Sequence, residues 1–414
     1  MPNPPPAVED SPVIIAWGTN DPQGAEVRVA IDGQNEKLVT RGAQTGEVEL
    51  RWIQGATEYE FRLYGLSHAR RRLDDVKIKR RVGSWASVFR QLSEQVARGH
   101  IDIADAADFI GTAMRRYLEP AAYRYIFPQW ERRGFHITPV NFYEPIPEVQ
   151  ALPERIWDRA GQLCGIDMND KVQLHLLCNE FPKLRSEYEA LPLTEMGESG
   201  RFYLNNGLFD GVDALLTYCV LRHFQPRLVI EVGSGFSSLL TAEAVARGNQ
   251  TALICIEPYP RDFLRRGFAG LRELIQKQVQ DVDLEFFSQL QSGDVLFIDS
   301  SHTVKIGSDV NYLFLEVLPR LRPGVIVHVH DIFFPFEYRR DWVMEKLRFW
   351  NEQYLLQAFL SFNSEFEVLL GSSYLAHYHR QELINTFSHL QEWAGGSFWM
   401  RRRLSNGSQD SSAS

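Results

Sequence analysis

The sequence predicts an α/β chain: an open, mainly parallel sheet covered by helices, preceded by a small all-β module and a helical segment. Three observations predict it. In the last half of the chain, continuous apolar strands alternate with helix-length segments, the pattern of parallel strands buried on both faces. From Ser11 to Arg81, short runs alternate apolar and polar residues and are separated by turn residues, the pattern of antiparallel strands. Between the two, apolar residues recur at helical spacing. The chain has 414 residues, 44% hydrophobic and 23% charged. At roughly 150 residues per domain, that allows about two or three domains and excludes a largely disordered chain.

The first element is the apolar run Val13-Ile14-Ile15-Ala16-Trp17, closed by the turn signal Gly18-Thr19-Asn20-Asp21-Pro22. Val27, Val29 and Ile31 then alternate with polar or small residues and end at Asp32-Gly33, a hairpin turn pair. Val48, Leu50 and Trp52 form a third run, Tyr59, Phe61 and Leu63 a fourth, and Val76 and Ile78 a fifth. Gly55-Ala56-Thr57-Glu58-Tyr59-Glu60-Phe61 resembles the tyrosine corner of fibronectin type III and related immunoglobulin-like modules, and Trp17 matches their early-strand Trp. The resemblance implies an immunoglobulin-like β-sandwich over 12–81 and says little about function.

Residues 82–200 read as helices and loops. Trp85, Val88, Phe89 and Leu92 share one helical face; Ile101, Ile103, Ala106, Ile110, Met114 and Tyr117 share another. Phe142-Tyr143-Glu144-Pro145-Ile146-Pro147 is expected to be extended, because each Pro turns its predecessor away from helix. Leu174, Leu177 and Phe181 mark a further helix. Residues 201–403 carry the alternating pattern: strands at 227–232, 251–257, 294–299 and 324–330, helices at 237–247 and from Arg261, and two last strands near 366–370 and 396–402. A third strand near 274–283 has a weak signal. The ends, 1–11 and 404–414, are expected to be disordered tails.

Composition narrows the class. The formal net charge is −9, which disfavours nucleic acid as a partner. No apolar run approaches the roughly 18 residues of a membrane span, and Met1 to Pro12 lacks the pattern of a secretion signal. The cysteines, Cys164, Cys178, Cys219 and Cys255, form no CxxC pair and read as thiols of a reducing compartment. Together these predict a cytoplasmic protein. The basic stretches Arg70–Arg72 and Arg401–Arg403 read as solvated faces or domain contacts, and His377 and His379 as surface or packing residues.

Glu231-Val232-Gly233-Ser234-Gly235-Phe236-Ser237-Ser238 joins a strand to a helix. Gly233 permits a tight turn, and Gly235 lets backbone approach a ligand. A dinucleotide fingerprint places a third glycine at position 238, which is Ser here, and so a pyrophosphate ligand is disfavoured. The acid Glu231 suits a ligand with positive charge. A second acid, Glu257, ends the next strand, where a carboxylate accepts both hydroxyls of a ribose. A packed structural turn is the plainer alternative for the glycine pair alone.

Val229–Ser238, Phe297-Ile298-Asp299-Ser300-Ser301-His302 and His328-Val329-His330-Asp331-Ile332-Phe333 together resemble the motifs of class I S-adenosylmethionine-dependent methyltransferases, among them a bacterial group with a methyltransferase-24-type domain. Phe142–Pro147 is similar to that group's N-terminal extension. The resemblance implies a Rossmann-like, seven-stranded methyltransferase sheet whose last strand, around Ser397-Phe398-Trp399-Met400, runs antiparallel. It implies that Glu231, Gly233, Ser234 and Gly235 hold the methionine end of the cofactor and Glu257 the ribose. Asp281 would meet the adenine amino group, and Asp299 completes the cofactor set.

Asp299 ends one parallel strand, His302 follows three residues on, and His330-Asp331 ends the next strand. Such ends open on the carboxyl edge, where α/β sheets bind ligands. In one reading Asp299, His330 and Asp331 hold a divalent metal such as Mg²⁺, and His302 is the base that takes a proton from an acceptor hydroxyl. Catechol-type and macrolide-sugar O-methyltransferases resemble this arrangement. In the other, Asp299 caps a loop and His330 is structural. Tyr203, Asn205, Asn206 and Phe209 stand where related folds place a flap over the cofactor. The expected function is methylation of a hydroxyl on a saccharide or other small molecule. The alternatives are an NAD-dependent oxidoreductase and a non-catalytic scaffold binding a glycan or protein.

Overall fold

The computed structural model describes residues 13–50, 58–67, 71–79, 93–96, 98–99, 102–115, 120–195, 201–248 and 251–404. Both predicted tails, the predicted helix at 85–92 and most of the glycine-led half of the tyrosine corner lie outside the described residues. The chain divides into two compact units, Met1–Pro139 and Val140–Ser414. The segment read as one helical extension, 82–200, is shared between them.

Among the described residues the first unit holds six strands: β1 (Val13–Gly18), β2 (Ala25–Ile31), β3 (Lys37–Gly42), β4 (Thr45–Leu50), β5 (Glu58–Gly65) and β6 (Arg72–Lys79). They form two antiparallel sheets, ordered β1-β4 and β3-β2-β5-β6. Their alternating residues meet in one core of Val13, Ile15, Val27, Val29, Leu50, Tyr59 and Phe61. Asp32 and Gly33 both adopt the left-handed conformation that a tight hairpin turn needs, at φ 46° and 77°. That turn leads into β3, a strand with no clear alternation in the sequence. Helices α1 (Ile103–Arg115) and α2 (Pro120–Glu131) follow.

The second unit is built on a seven-stranded sheet. Its strands are β7 (Leu228–Val232), β8 (Ala252–Ile256), β9 (Leu271–Ile275), β10 (Val295–Ile298), β11 (Ile326–Val329), β12 (Phe366–Gly371) and β13 (Phe398–Arg402). Their order is β12-β13-β11-β10-β7-β8-β9. β13 is antiparallel to both neighbours, and the pairs from β11 to β9 are parallel. Every residue of β7, β10 and β11 is buried, so these strands read as apolar runs, broken only by Glu231 in β7 and His328 in β11. The sheet has an apolar core on each face. Helix α3 (Gly211–Phe224) packs beside α4 (Phe236–Ala246), the helix that follows the glycine loop.

Two expectations shift. The third strand, β9, lies earlier than 274–283; the residues after it form a short turn of 3₁₀ helix, Val279–Asp281. The stretch before Pro147 is turned rather than extended: the Asn141 side chain accepts from Tyr143 N at 2.8 Å, and Glu144 N donates to the Asn141 carbonyl at 3.2 Å.

Candidate active site

The glycine loop leaves β7 in the middle of the sheet. Gly233 takes φ 77°, and a Cβ there would fall 1.7 Å from the Asp299 carbonyl oxygen. Only glycine fits that approach. A Cβ on Gly235 would meet nothing within 4 Å, because the residue faces open space. Ser238, at the place of a third glycine, has its own task. Its Oγ accepts from Gly235 N at 3.1 Å, closing the start of α4, and donates to Glu231 Oε1 at 2.9 Å. Ser237 Oγ donates to the same oxygen at 2.6 Å. Glu231 is fully buried, and desolvation pushes its carboxyl up to about 8 against the two serine hydrogen bonds.

Three cavities meet at Asp299. One of about 500 Å³ is lined by Gly233, Glu257, Gln278, Gln280 and Ser300. One of about 230 Å³ is lined by Gly233, Ser234, Gly235, Glu257 and Phe209. One of about 950 Å³ is lined by Phe209, His330, Asp331 and Trp342, among others. Asp299 lines all three. The Glu257 carboxylate is held by backbone, accepting from Ser234 N at 3.1 Å and Tyr259 N at 2.8 Å. Ser234 Oγ, Gln280 Oε1 and Ser300 Oγ are buried and have no hydrogen-bond partner among the described residues. Unpaired buried polar atoms cost about 1–3 kcal/mol each, so three around one pair of cavities mark a place for a polar ligand. The donors and the open space at Gly235 fit a cofactor with a ribose and an amino-acid end.

The acid–histidine cluster lies at the Asp299 edge of these cavities. His302 Nε2 stands 3.2 Å from Asp299 Oδ1 and 3.5 Å from Asp331 Oδ2, and its Nδ1 is 2.9 Å from Glu352 Oε2. The Trp350 ring packs on the imidazole at 4.4 Å between centroids. His302 and Asp331 both take φ 57°, which is uncommon outside glycine and marks a backbone held by its surroundings. Burial works against charge on His302, but its hydrogen bonds to Asp299 and Glu352 prevail and hold the imidazole well above its ordinary range. Burial raises the Asp331 and Glu352 carboxyls. For Asp299, burial pulls upward too, but the charges of His330 and His302 outweigh it and keep that carboxyl low.

One ligand atom each from Asp299, His302 and Asp331 lie within 4.8 Å of one another. Two carboxylates and an imidazole at this spacing fit a divalent cation, and Glu352 on the far nitrogen of His302 is the outer carboxylate that such histidines use. The structure thus brings His302 into the possible ligand group. His330 stays beside it, with Nε2 3.6 Å from Asp331 Oδ1 and its ring 4.9 Å from Phe209.

Other expected residues fall variously. Glu231 lies behind the loop and lines none of these cavities. Asp281 is exposed in the turn after Val279 and lines none either; Gln278 and Gln280 take the adjacent wall. Phe209 lines two cavities, while the Asn206 side chain ties its loop, donating to the Tyr203 and Phe209 carbonyls at 2.8 Å each. Tyr203 packs on Phe236 at 5.6 Å, and Asn205 is exposed. His377 lines the large cavity, and His379 lies 3.3 Å from Asp170. Glu352 and Trp350 carried no sequence signal.

Residues 230–332 match the family model of a methyltransferase domain. An uncharacterised protein from the archaeon Archaeoglobus fulgidus is 38% identical over 169 residues, covering 38% of this chain and 75% of that protein. The O-methyltransferase TomG from Streptomyces achromogenes, involved in tomaymycin synthesis and solved in complex with SAM, is 16% identical over 55% of this chain and 90% of that one, with a TM-score of 0.30. The sheet order and glycine loop define a class I methyltransferase fold, and residues 230–332 carry the methyltransferase domain that the matched model describes.

Proposed function

We propose that the protein transfers a methyl group from S-adenosylmethionine to a hydroxyl of a saccharide or other small molecule. One observation carries this: Asp299 lines two cavities that share the glycine loop and Glu257, and also the larger cavity, where His330 and Asp331 stand with it; His302 lines none of the three and meets the larger one through Asp299 and Asp331. A cofactor seated along the first two has its reactive end at the cluster and an acceptor space beyond. The cofactor supplies an electrophilic methyl group. The chain's task is to hold the acceptor oxygen in line with it, the larger share of rate gain in such displacements. Glu257 is suited to the ribose hydroxyls, and Ser234 and Gly235 to the amino-acid end.

His302 is the candidate base. Glu352 accepts a hydrogen bond from Nδ1–H, which leaves Nε2, turned toward Asp299 and Asp331, as the nitrogen that takes a proton in the neutral imidazole. A divalent cation held by Asp299 and Asp331, with His302 Nε2 left off the metal so that it can accept the proton, would lower the acceptor's pKa. His302 must be neutral to accept a proton, and so its strong pairing with carboxylates has to be relaxed when acceptor or cation arrives. The order of strands supports an immunoglobulin-like reading of the first unit, with β5 between β2 and β6 and Tyr59 near its start. Four free thiols support a reducing, cytoplasmic setting, and among the described residues no helix is long and apolar enough to cross a membrane.

Calorimetric titration tests the cofactor. S-adenosylhomocysteine should bind and NAD should not; heat with NAD alone would overturn the proposal in favour of an oxidoreductase. Glu257→Ala should weaken S-adenosylhomocysteine at least tenfold, since it removes charge-assisted hydrogen bonds worth about 1.5–3 kcal/mol each.

A further inference from the structure

The wall of the 950 Å³ cavity includes a stretch unlike the rest of this acidic chain: Arg339, Arg340, Lys346 and Arg348 surround Trp342, where the whole protein carries a formal net charge of −9. Three of these cations lie over the Trp342 ring, with Arg348 Cζ at 5.0 Å, Arg339 Cζ at 5.7 Å and Lys346 Nζ at 5.8 Å from its centroid. They are not equally engaged. Arg339 and Lys346 share one acid, Asp341, at 3.0 and 3.1 Å. Arg340 is paired with Glu154 at 2.8 Å. Arg348 pairs with no carboxylate among the described residues. Its guanidinium lies over two indoles, Trp342 and Trp350, the second at 4.9 Å.

A guanidinium set against aromatic faces keeps its in-plane N–H groups free, and that edge matches the oxygens of a phosphate or carboxylate. Trp350 also packs on His302 at 4.4 Å. The guanidinium is therefore no farther from the candidate base than those two spans laid end to end, with Trp350 between them; on the cavity side the approach to His302 is through Asp299 and Asp331, which share the wall with Arg348 and stand 3.2 and 3.5 Å from Nε2. The remaining acids of the cavity are placed differently. Asp299 and Asp331 belong to the catalytic cluster. Asp213 is held by Gly396 N and Ser397 N, and Glu337 accepts from Gln353. Asp158, Asp210 and Glu392 also line the wall, and they disfavour an acceptor that is anionic along its whole length.

We infer that the acceptor is a saccharide carrying one oxyanion, a phosphate or a carboxylate, seated on Arg348 beside Trp342 while a neutral hydroxyl reaches His302. The inference rests on the methyltransferase reading of this site. Its test uses the full-length protein and three probes, glucose 1-phosphate, glucuronate and glucose, titrated with and without S-adenosylhomocysteine. At least one anionic probe should bind about tenfold or more tightly than glucose, the scale of one charge-assisted pair. Tighter glucose 1-phosphate assigns a phosphate, and tighter glucuronate a carboxylate. Arg348→Ala should abolish that preference and leave S-adenosylhomocysteine affinity unchanged; Arg348→Lys, which keeps charge but not the planar edge, should retain only part of it. Equal binding of glucose and both anions, or an unchanged preference in Arg348→Ala, overturns the inference. Failure of S-adenosylhomocysteine to bind would instead strike the methyltransferase reading itself.

Discussion

His302 is bound on both nitrogens by carboxylates, and this sets how the proposed chemistry responds to pH. With its imidazole held well above the ordinary range, the free protein carries it charged at neutrality, so turnover should rise with pH through and beyond neutrality. Glu352→Gln removes one of the carboxylates that raise it, and the rising limb of the rate–pH profile should move to lower pH. His302→Ala should cut turnover by about 10²–10⁴-fold while S-adenosylhomocysteine still binds. An unmoved limb in Glu352→Gln would show that the limb belongs to another group. Glu231 gives a prediction about stability. Its folded value, about 8, lies above the ordinary 4.5 of a glutamate, so its contribution is present in full below 4.5 and is lost as pH rises through about 8. Urea unfolding across that window should show the wild type losing more stability than Glu231→Gln, by an amount on the order of a few kcal/mol. Asp299, His302 and Asp331 were legible in the sequence because residues at the ends of adjacent parallel strands must share an edge. Glu352 was not, because it lies fifty positions from its partner and reads as an ordinary first-turn helix acid.

At the scale of elements, the two glycines of the loop should fail in different ways. Gly233→Ala puts a methyl on the Asp299 carbonyl and forces alanine into a left-handed turn, so thermal stability itself should drop steeply. Gly235→Ala meets no atom of the chain, so its melting temperature should match wild type while cofactor affinity falls. Equal melting losses in both variants would mean that Gly235 is structural rather than a point of ligand approach. β7, β8, β10 and β11 stood out in the sequence because burial on both faces favours apolar residues at nearly every position, Glu231 and His328 being the buried exceptions. β9 did not: it is the sheet's edge, and Arg272 and Glu273 occupy two of its five positions with both exposed. The position of Asp281 was misjudged with it, since the chain turns into 3₁₀ helix before that residue.

For the whole molecule, the division at Pro139 predicts that residues 140–414 fold without the first unit, because both cores flanking the seven-stranded sheet lie within that span. Circular dichroism of that fragment should show a cooperative transition, and it should retain cofactor affinity; a molten spectrum would place part of its core in the first 139 residues. The boundary was missed in the sequence because 82–200 was read as one segment, although Pro139, Pro145, Pro147 and Pro153 cluster where the helices stop. The place of β13 has a consequence for how the protein is made. A ribosome delivers β12 before β13, yet β12 joins the sheet only through β13. Until Phe398–Arg402 emerges, β11 presents an unpaired apolar edge and β12 has no neighbour, so nearly the whole second unit must be synthesised before its sheet can close. Nascent chains arrested before Phe398 should therefore be the species that chaperones retain and proteases clear, and a few further residues should release them.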